Sequence, residues 1–244
     1  MDDKKIVPTD VNVAEKAKKK KKKPYNLIIK ANKKGRHILP VLNLLRILVV
    51  PTFFLFKPFR FYGKKDKRKG ACIYVGNHYK MMDIVYIGAQ NWECLHFVSK
   101  RENLESKFIG PFARAIKAIP VNRDGNDVRG LLDCFKCLKN GQKIAIYPEG
   151  TRNKTDQEML PFKHGAAIMA IKTKTPVVPI VTYKRPRWFR MTDILIGEEI
   201  DLSMYYDKKL SEEEMTEADN KIRQTMLDMK AAHTKFLQDK KKRR

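Results

Sequence analysis

His78 and Asp83 stand five residues apart in the stretch Val75-Gly-Asn-His-Tyr-Lys-Met-Met-Asp83. An imidazole backed by a carboxylate is a proton-transfer unit, because the carboxylate accepts from one ring nitrogen and leaves the other free to take a proton. Inside one helix the two side chains would diverge by about 140°, since a helix turns ~100° per residue. They can meet only if His78 sits on a strand-to-helix turn and Asp83 reaches back from the first turn of the helix. The same spacing also suits a satisfied turn histidine beside a plain helix-start aspartate. A second stretch, Ile144-Ala-Ile-Tyr-Pro-Glu-Gly-Thr-Arg152, carries a strand into a Pro148–Gly150 turn. That turn is expected to expose Glu149, Thr151 and Arg152, and backbone donors beside a guanidinium suit a phosphate. An ordinary loop with a surface Glu–Arg pair fits the residues equally well.

Strands and helices must bring these stretches together. From residue 71 onward, short β-branched or aromatic runs alternate with helical patterns. Strands are expected at Cys72–Val75, His96–Ser99, Ile119–Asn122, Lys143–Tyr147, Val177–Tyr183 and Ile194–Ile200. Helices are expected at Asp83–Gln90, Lys107–Ala118, Asp127–Lys139 and Lys163–Thr173. This alternation predicts an α/β fold: a single domain with a largely parallel mixed sheet flanked by helices, plus an N-terminal membrane-associating helical segment. Near the end, Ser211-Glu-Glu-Glu214 fits a capping box. The helix it starts has Met215, Ala218, Ile222, Met226, Met229 and Phe236 on one face, expected to dock on the core.

Four ordered blocks resemble the glycerolipid acyltransferase family, of which the lysophosphatidic acid acyltransferases are typical. They are Asn77-His78 followed by Asp83, Ile119-Pro-Val-Asn-Arg123, Pro148-Glu-Gly-Thr-Arg152 and Pro176-Val-Val-Pro-Ile180. Val98-Ser-Lys100 and Glu102-Asn-Leu104 resemble the family's segment before the second block. The resemblance implies transfer of a fatty acyl group, from acyl-CoA or acyl-carrier protein, to the sn-2 hydroxyl of 1-acyl-glycerol 3-phosphate, giving phosphatidic acid without a further cofactor. It implies that His78 is the base and Asp83 its orienter, and that Asn77 holds the turn. Arg123, Glu149, Gly150, Thr151 and Arg152 would line the acceptor's phosphate and glycerol, with Lys100 also at the site. Tyr147 replaces the family's usual Phe, Asn122 a frequent Asp, and Tyr79-Lys80-Met81-Met82 an often-seen Gln-Ser-Trp. Acylation of glycerol 3-phosphate itself, or of another lysolipid, stays open within the family.

The 244-residue chain has 52 Lys+Arg against 27 Asp+Glu, a formal charge of +25. Such an excess points to an anionic partner, either nucleic acid or a membrane. It is concentrated in residues 1–37 (+9), 57–70 (+6) and 240–244 (+5), while residues 71–239 carry only +4. Nucleic-acid binding would need basic residues interleaved with stacking aromatics on a folded face, so no nucleic acid is expected as a partner.

Between two basic blocks lies the apolar run Ile38–Phe56, broken by Pro40, Asn43, Arg46, Pro51 and Thr52. A charge at mid-bilayer costs about 2.5–3.5 kcal/mol, and basic flanks on both sides favour the same, cytoplasmic, face for both ends. A short helical hairpin dipping into one leaflet therefore fits better than a single transmembrane helix; a helix packed on the domain is a third option. The expected organisation is a disordered basic tail (1–24), a membrane-associating helical segment (25–62), a basic linker (63–70), the catalytic domain (71–200) and an amphipathic helix with basic tail (201–244). No signal peptide and no disulfide scaffold are expected. Cys134 and Cys137 are at i, i+3 on an apolar helix, which suits core residues better than metal ligands.

Overall fold

The computed structural model describes residues 26–64, 69–122 and 128–243. The expected tail 1–24, part of the linker 63–70, and Arg123 lie outside the described residues. Seven strands form one sheet: β1 (Phe59–Tyr62), β2 (Cys72–Gly76), β3 (Leu95–Lys100), β4 (Ile119–Val121), β5 (Lys143–Ile146), β6 (Val177–Thr182) and β7 (Thr192–Ile196). Their order is β1-β7-β6-β2-β5-β3-β4. β6, β2, β5, β3 and β4 run parallel, whereas β7 is antiparallel to β6 and parallel to β1. The helices are α1 (Pro40–Phe56), α2 (Asp83–Ala89), α3 (Arg101–Glu105), α4 (Gly110–Ala115), α5 (Val128–Lys139), α6 (Gly165–Thr173) and α7 (Glu212–Lys242).

Every residue of β2, β5, β6 and β7 is buried, as expected where helices cover both faces of a sheet. Alternation assigns the side chains. Ile73, Val75, Ile144 and Ile146 pack with Met169 of α6 and Ile222 and Met226 of α7. Cys72, Tyr74, Ala145, Val178 and Ile180 pack with Phe53 of α1, Tyr86 of α2 and Ala113 of α4. Cys134 and Cys137 are buried in the core, as the sequence predicts. Among the described residues, no three His, Cys, Asp or Glu side chains are placed to hold a metal ion.

The capping box at Ser211 is present in full, and α7 docks by most of the expected stripe, with Ala218, Ile222 and Met226 buried and Met215 and Met229 half-buried, whereas Phe236 is exposed. The same stripe also carries polar anchors. Asp219 Oδ2 lies 2.8 Å from His164 Nδ1, and its Oδ1 accepts from the Ala167 N–H in the first turn of α6. His233 Nε2 lies 2.9 Å from Asp193 Oδ2 on β7, and Asp193 also receives Arg60 of β1 at 2.7 Å.

Two expectations need correction. The sheet begins at Phe59 and not at residue 71, because Phe-Arg-Phe-Tyr at 59–62 alternates: Phe59 is buried and Arg60 turns outward to Asp193. The helical hairpin is also absent, since 26–39 contains no helix and α1 is single. Among the described residues no helix is long and apolar enough to cross a membrane. Instead, α1 lies on the domain by one stripe, Leu42, Arg46 and Phe53. The stripe Leu44, Leu48 and Leu55 has the same spacing displaced by two residues, so it lies about 200° around the helix. Its side chains are exposed by 57%, 59% and 73%. Arg46 is no lipid-facing charge. Its guanidinium donates to Gly88 O (2.9 Å), Glu93 O (2.9 Å) and Asn43 Oδ1 (2.6 Å), which ties α1 to both ends of the α2–β3 connection. Burial lowers its pKa to about 10, so it remains a cation at neutral pH.

Arg46→Ala should therefore lower stability by about 3 kcal/mol, since it strips charge-assisted bonds from buried carbonyls. In a chain of this size that corresponds to a melting temperature roughly 6–12 °C lower by calorimetry; a shift within a degree would show that α1 is held by apolar packing alone. Asp219 gives a pH signature. Burial raises its carboxyl to about 6, so the folded protein binds this proton more tightly than the unfolded chain does. Its contribution is then most favourable at low pH and weakens as pH rises from the ordinary carboxylate value to about 6. Asp219→Asn should flatten the melting-temperature profile between pH 4 and 6; an unchanged slope would assign the titration to another group.

Candidate active site

β2 and β5 are hydrogen-bonded neighbours, yet the chain leaving β2 enters α2 on one face and the chain leaving β5 enters α6 on the other. At such a switch point the two connections part and leave a crevice outside the carboxyl ends of the strands. The two sequence stretches with chemical character both lie there. Gly76 ends β2 where a Cβ would come within 2.9 Å of both Ile87 and Tyr147, so only glycine lets the chain through to the turn.

The next residue, Asn77, is buried and bridges to β6: its amide nitrogen donates to Thr182 O (3.0 Å) and its oxygen accepts from Thr182 N–H (2.8 Å). His78 follows on the turn and Asp83 begins α2, the arrangement its spacing requires. His78 Nδ1 lies 3.3 Å from Asp83 Oδ2. The same oxygen accepts the N–H groups of Tyr79 (2.6 Å) and Lys80 (2.7 Å), so the carboxylate is fixed by the turn it orients. The imidazole stacks on Tyr147, with centroids 4.3 Å apart and planes 19° apart. Asp83 Oδ1 and the Tyr147 hydroxyl are buried with no protein partner among the described residues.

Glu149 departs from expectation, because it is buried rather than exposed on its turn. Its Oε1 accepts the His78 N–H (2.7 Å) and its Oε2 the Leu160 N–H (3.0 Å). Burial pushes its carboxyl above the usual range, and these two N–H groups pull it partly back. Thr151 and Arg152 are exposed as expected, as is Lys100 at the end of β3. Gly150 has φ +68°, in the left-handed region, and a Cβ there would press on the Lys163 side chain.

Sequence reasoning missed a second set of residues, which holds the segment 153–160 over the His78 turn. Asn153 N–H donates to His78 O (2.6 Å), and Tyr79 hydroxyl donates to Glu158 O (3.1 Å). Lys230 of α7, buried, donates to Glu158 O (3.2 Å) and to the Tyr79 hydroxyl (3.3 Å). Arg223 donates to Met159 O and Leu160 O, and Arg185 to Thr155 O. One signal was available: Lys230 continues the i, i+4 apolar series of Ile222 and Met226, where a buried cation needs a reason.

Beside the turn lies a cavity of about 510 Å³, whose wall includes Val98, Leu131, Cys134, Ile168 and Met169 and reaches the site at Tyr147, Pro148 and Gly150. A carboxylate-backed imidazole next to a mostly apolar cavity, at the carboxyl edge of an α/β sheet, is an arrangement able to do acid–base chemistry on a molecule with a substantial apolar part. A family model described as acyltransferase matches residues 58–183. The chain belongs to this acyltransferase family.

The chain is 36% identical over 92 residues to the 1-acyl-sn-glycerol-3-phosphate acyltransferase of Bacillus subtilis, covering 38% of this chain and 44% of that one. It is 33% identical over 116 residues to the Helicobacter pylori protein of the same name, covering 46% and 48%. The chain thus spans about half the length of the curated relatives it matches. The crystal structure of the 1-acyl-sn-glycerophosphate acyltransferase of Thermotoga maritima superposes with a TM-score of 0.60 at 23% identity over 79% of this chain and 80% of that one, which shows a shared fold.

Glu149→Gln tests the buried carboxylate. An amide can accept one of the two N–H groups but sets its NH2 against the other, so the turn should shift while the core survives. Turnover should fall about 100-fold, the scale of a 1 Å misplacement, with a melting temperature within a few degrees of the parent. Parental turnover would show that the carboxylate does not position His78.

Proposed function

We propose that this chain transfers a fatty acyl group from a thioester donor to the sn-2 hydroxyl of 1-acyl-glycerol 3-phosphate, forming phosphatidic acid. The observation that carries this function is the His78–Asp83 pair sharing Tyr147 with the apolar cavity; the names of the relatives supply the acceptor. Asp83 engages Nδ1, so Nε2 is the nitrogen left to take the proton from the acceptor hydroxyl. The hydroxyl oxygen attacks the thioester carbonyl, the ester C–O bond forms, and the C–S bond breaks. The leaving thiolate takes the proton back from His78, which restores the base. The apolar cavity accommodates acyl chain.

Arg152 is assigned to the acceptor's phosphate because it is exposed beside Gly150 and its guanidinium suits a bidentate anion. Thr151, Gly150, Lys100 and Arg123 are assigned to the same phosphate and glycerol. Asn77 and Glu149 act as positioning residues, through the main chain of the turn. No cofactor is needed, and both acyl-CoA and acyl-carrier protein are donors that the basic surface suits.

The enzyme is assigned to the cytoplasmic face of a membrane as a monotopic or peripheral protein. The outward stripe of α1 meets the acyl region, and the basic blocks meet anionic headgroups at about 1 kcal/mol per side chain.

Purified protein with acyl-CoA and acyl-carrier-protein donors, set against a panel of glycerol 3-phosphate and several lysolipids, should yield phosphatidic acid as the main product by lipid mass spectrometry. A different preferred acceptor would reassign the activity within the family. His78→Ala should lose at least about 100-fold in turnover, and wild-type activity in that variant would end the assignment of the base. Arg152→Ala should raise the KM for the phosphate acceptor several-fold and leave the donor KM unchanged. Leu44→Asp combined with Leu48→Asp should weaken co-sedimentation with vesicles of phosphatidylglycerol and phosphatidylcholine at least about tenfold; undiminished sedimentation would remove α1 from membrane contact.

A further inference from the structure

The connection from β6 to β7 reads Lys184-Arg-Pro-Arg-Trp-Phe-Arg-Met191, with four basic residues and no acidic one. It leaves β6 next to Thr182, the residue Asn77 grips, so it starts at the same edge of the sheet as His78. At its tip Trp188 is 64% exposed and Phe189 is 69% exposed. Two adjacent large rings facing water are not explained by packing, since burial of either would contribute to stability.

The rings are nevertheless held in place. The Phe189 N–H donates to Phe56 O at the end of α1 (2.7 Å). The Phe56 ring meets those of Trp188 and Phe189 edge-on, at 6.2 and 6.0 Å. The Lys57 ammonium sits 4.4 Å from the Trp188 ring centroid, a cation–π distance. Phe189 adopts φ +55°, a conformation that bulky side chains rarely take. The loop tip is therefore a rigid extension of α1's outer stripe, which ends at Leu55 and Phe56.

We propose that the tip of loop 184–191, together with the Phe56 end of α1, inserts into the surface of an anionic bilayer and seats the catalytic edge of the sheet against it. This rests on the membrane contact assigned to α1 above and adds a second, independent point of contact. Tryptophan and phenylalanine favour the boundary between headgroups and acyl chains, while Arg187 and Arg190, both exposed on either side of the rings, match the negative headgroups. Continuity with the apolar stripe of α1 favours a bilayer over an acidic protein, which would meet the arginines but leave the helix uncovered. One helix on a surface leaves the domain free to roll about the helix axis; a second contact removes that freedom and directs the His78 crevice at the lipid. An acceptor could then pass from leaflet to crevice without crossing bulk water.

The chain has two tryptophans, Trp92 and Trp188, so Trp92→Phe leaves Trp188 as the only indole. Titrated with phosphatidylglycerol–phosphatidylcholine vesicles containing dibrominated acyl chains, this protein should show a blue shift and quenching of Trp188 emission. Replacing Trp188 and Phe189 by Ala in the otherwise natural chain should weaken vesicle partitioning about tenfold per ring. It should also cut acyl transfer to vesicle-borne lysophosphatidic acid at limiting lipid by a similar factor, with transfer to a short-chain acceptor below its micellar concentration unchanged.

Sedimentation with vesicles while Trp188 emission stays unchanged would overturn the loop contact and leave that of α1 standing. Failure to sediment at all would overturn both. Equal loss of transfer to the soluble and the vesicle-borne acceptor would assign the rings to the fold or the site and overturn the proposal. A concentration-dependent shift of Trp188 emission without lipid, or a shift on adding acyl-carrier protein alone, together with no quenching by brominated lipid, would assign the patch to a protein partner instead.

Discussion

Two buried carboxylates and the N–H groups aimed at them fix the geometry of the crevice. Asp83 collects the amides of Tyr79 and Lys80 on one oxygen, and Glu149 collects those of His78 and Leu160, one on each oxygen. A carboxylate out of water is costly without hydrogen-bond donors; Glu149 has one on each oxygen and Asp83 two on Oδ2, so each acid and its turn hold one another in place. Together with Asn153 on the His78 carbonyl, these bonds occupy the main chain of His78 on both sides. The imidazole has little freedom left beyond its own side-chain torsions. Preorganisation of this kind costs nothing at the moment of reaction.

The support extends well beyond the crevice. Segment 153–160 lies against the His78 turn and is itself held from α7, by Arg223 and Lys230. A helix that reads as a simple amphipathic cover is thus also a strut for the site. The same helix ties β7, and through Asp193 and Arg60 the edge strand β1, by His233. One element secures both the far edge of the sheet and the segment over the His78 turn, so substitutions on α7 would be felt at that turn as well as in stability.

The sequence revealed the parts of the fold that are governed by local pattern. Short apolar runs at 72–75, 144–146 and 177–181 mark central parallel strands, and the His78–Asp83 spacing admits only the turn geometry observed. Arg46 and Glu149 were misread for one cause: each has its partners far along the chain. Arg46 looked like a charge unsuited to its helix because its carbonyl partners lie 42 and 47 residues away. Glu149 sits in a Pro-Glu-Gly turn, which normally faces water, and the amide that buries it is 71 residues upstream. β1 was absorbed into the apolar segment before it because its alternation spans only four residues. On α7, Asp219, Lys230 and His233 interrupt an apolar stripe, and that interruption was the visible clue to the contacts they make.

The pairing of β1 with β7 bears on how the chain is made. Arg60 and Asp193 are 133 residues apart, and among the described residues β1 has no strand other than β7 beside it in the sheet. During synthesis β1 leaves the ribosome early and waits for most of the protein before its backbone bonds can form. Arg46, by contrast, finds Gly88 and Glu93 soon after α2 and the turn that follows it have emerged, so α1 can dock long before the strand next to it can pair. The nascent chain therefore carries an unpaired strand edge next to a helix with an apolar outer face, a combination prone to association. Any truncation that removes β7 makes that transient hazard permanent.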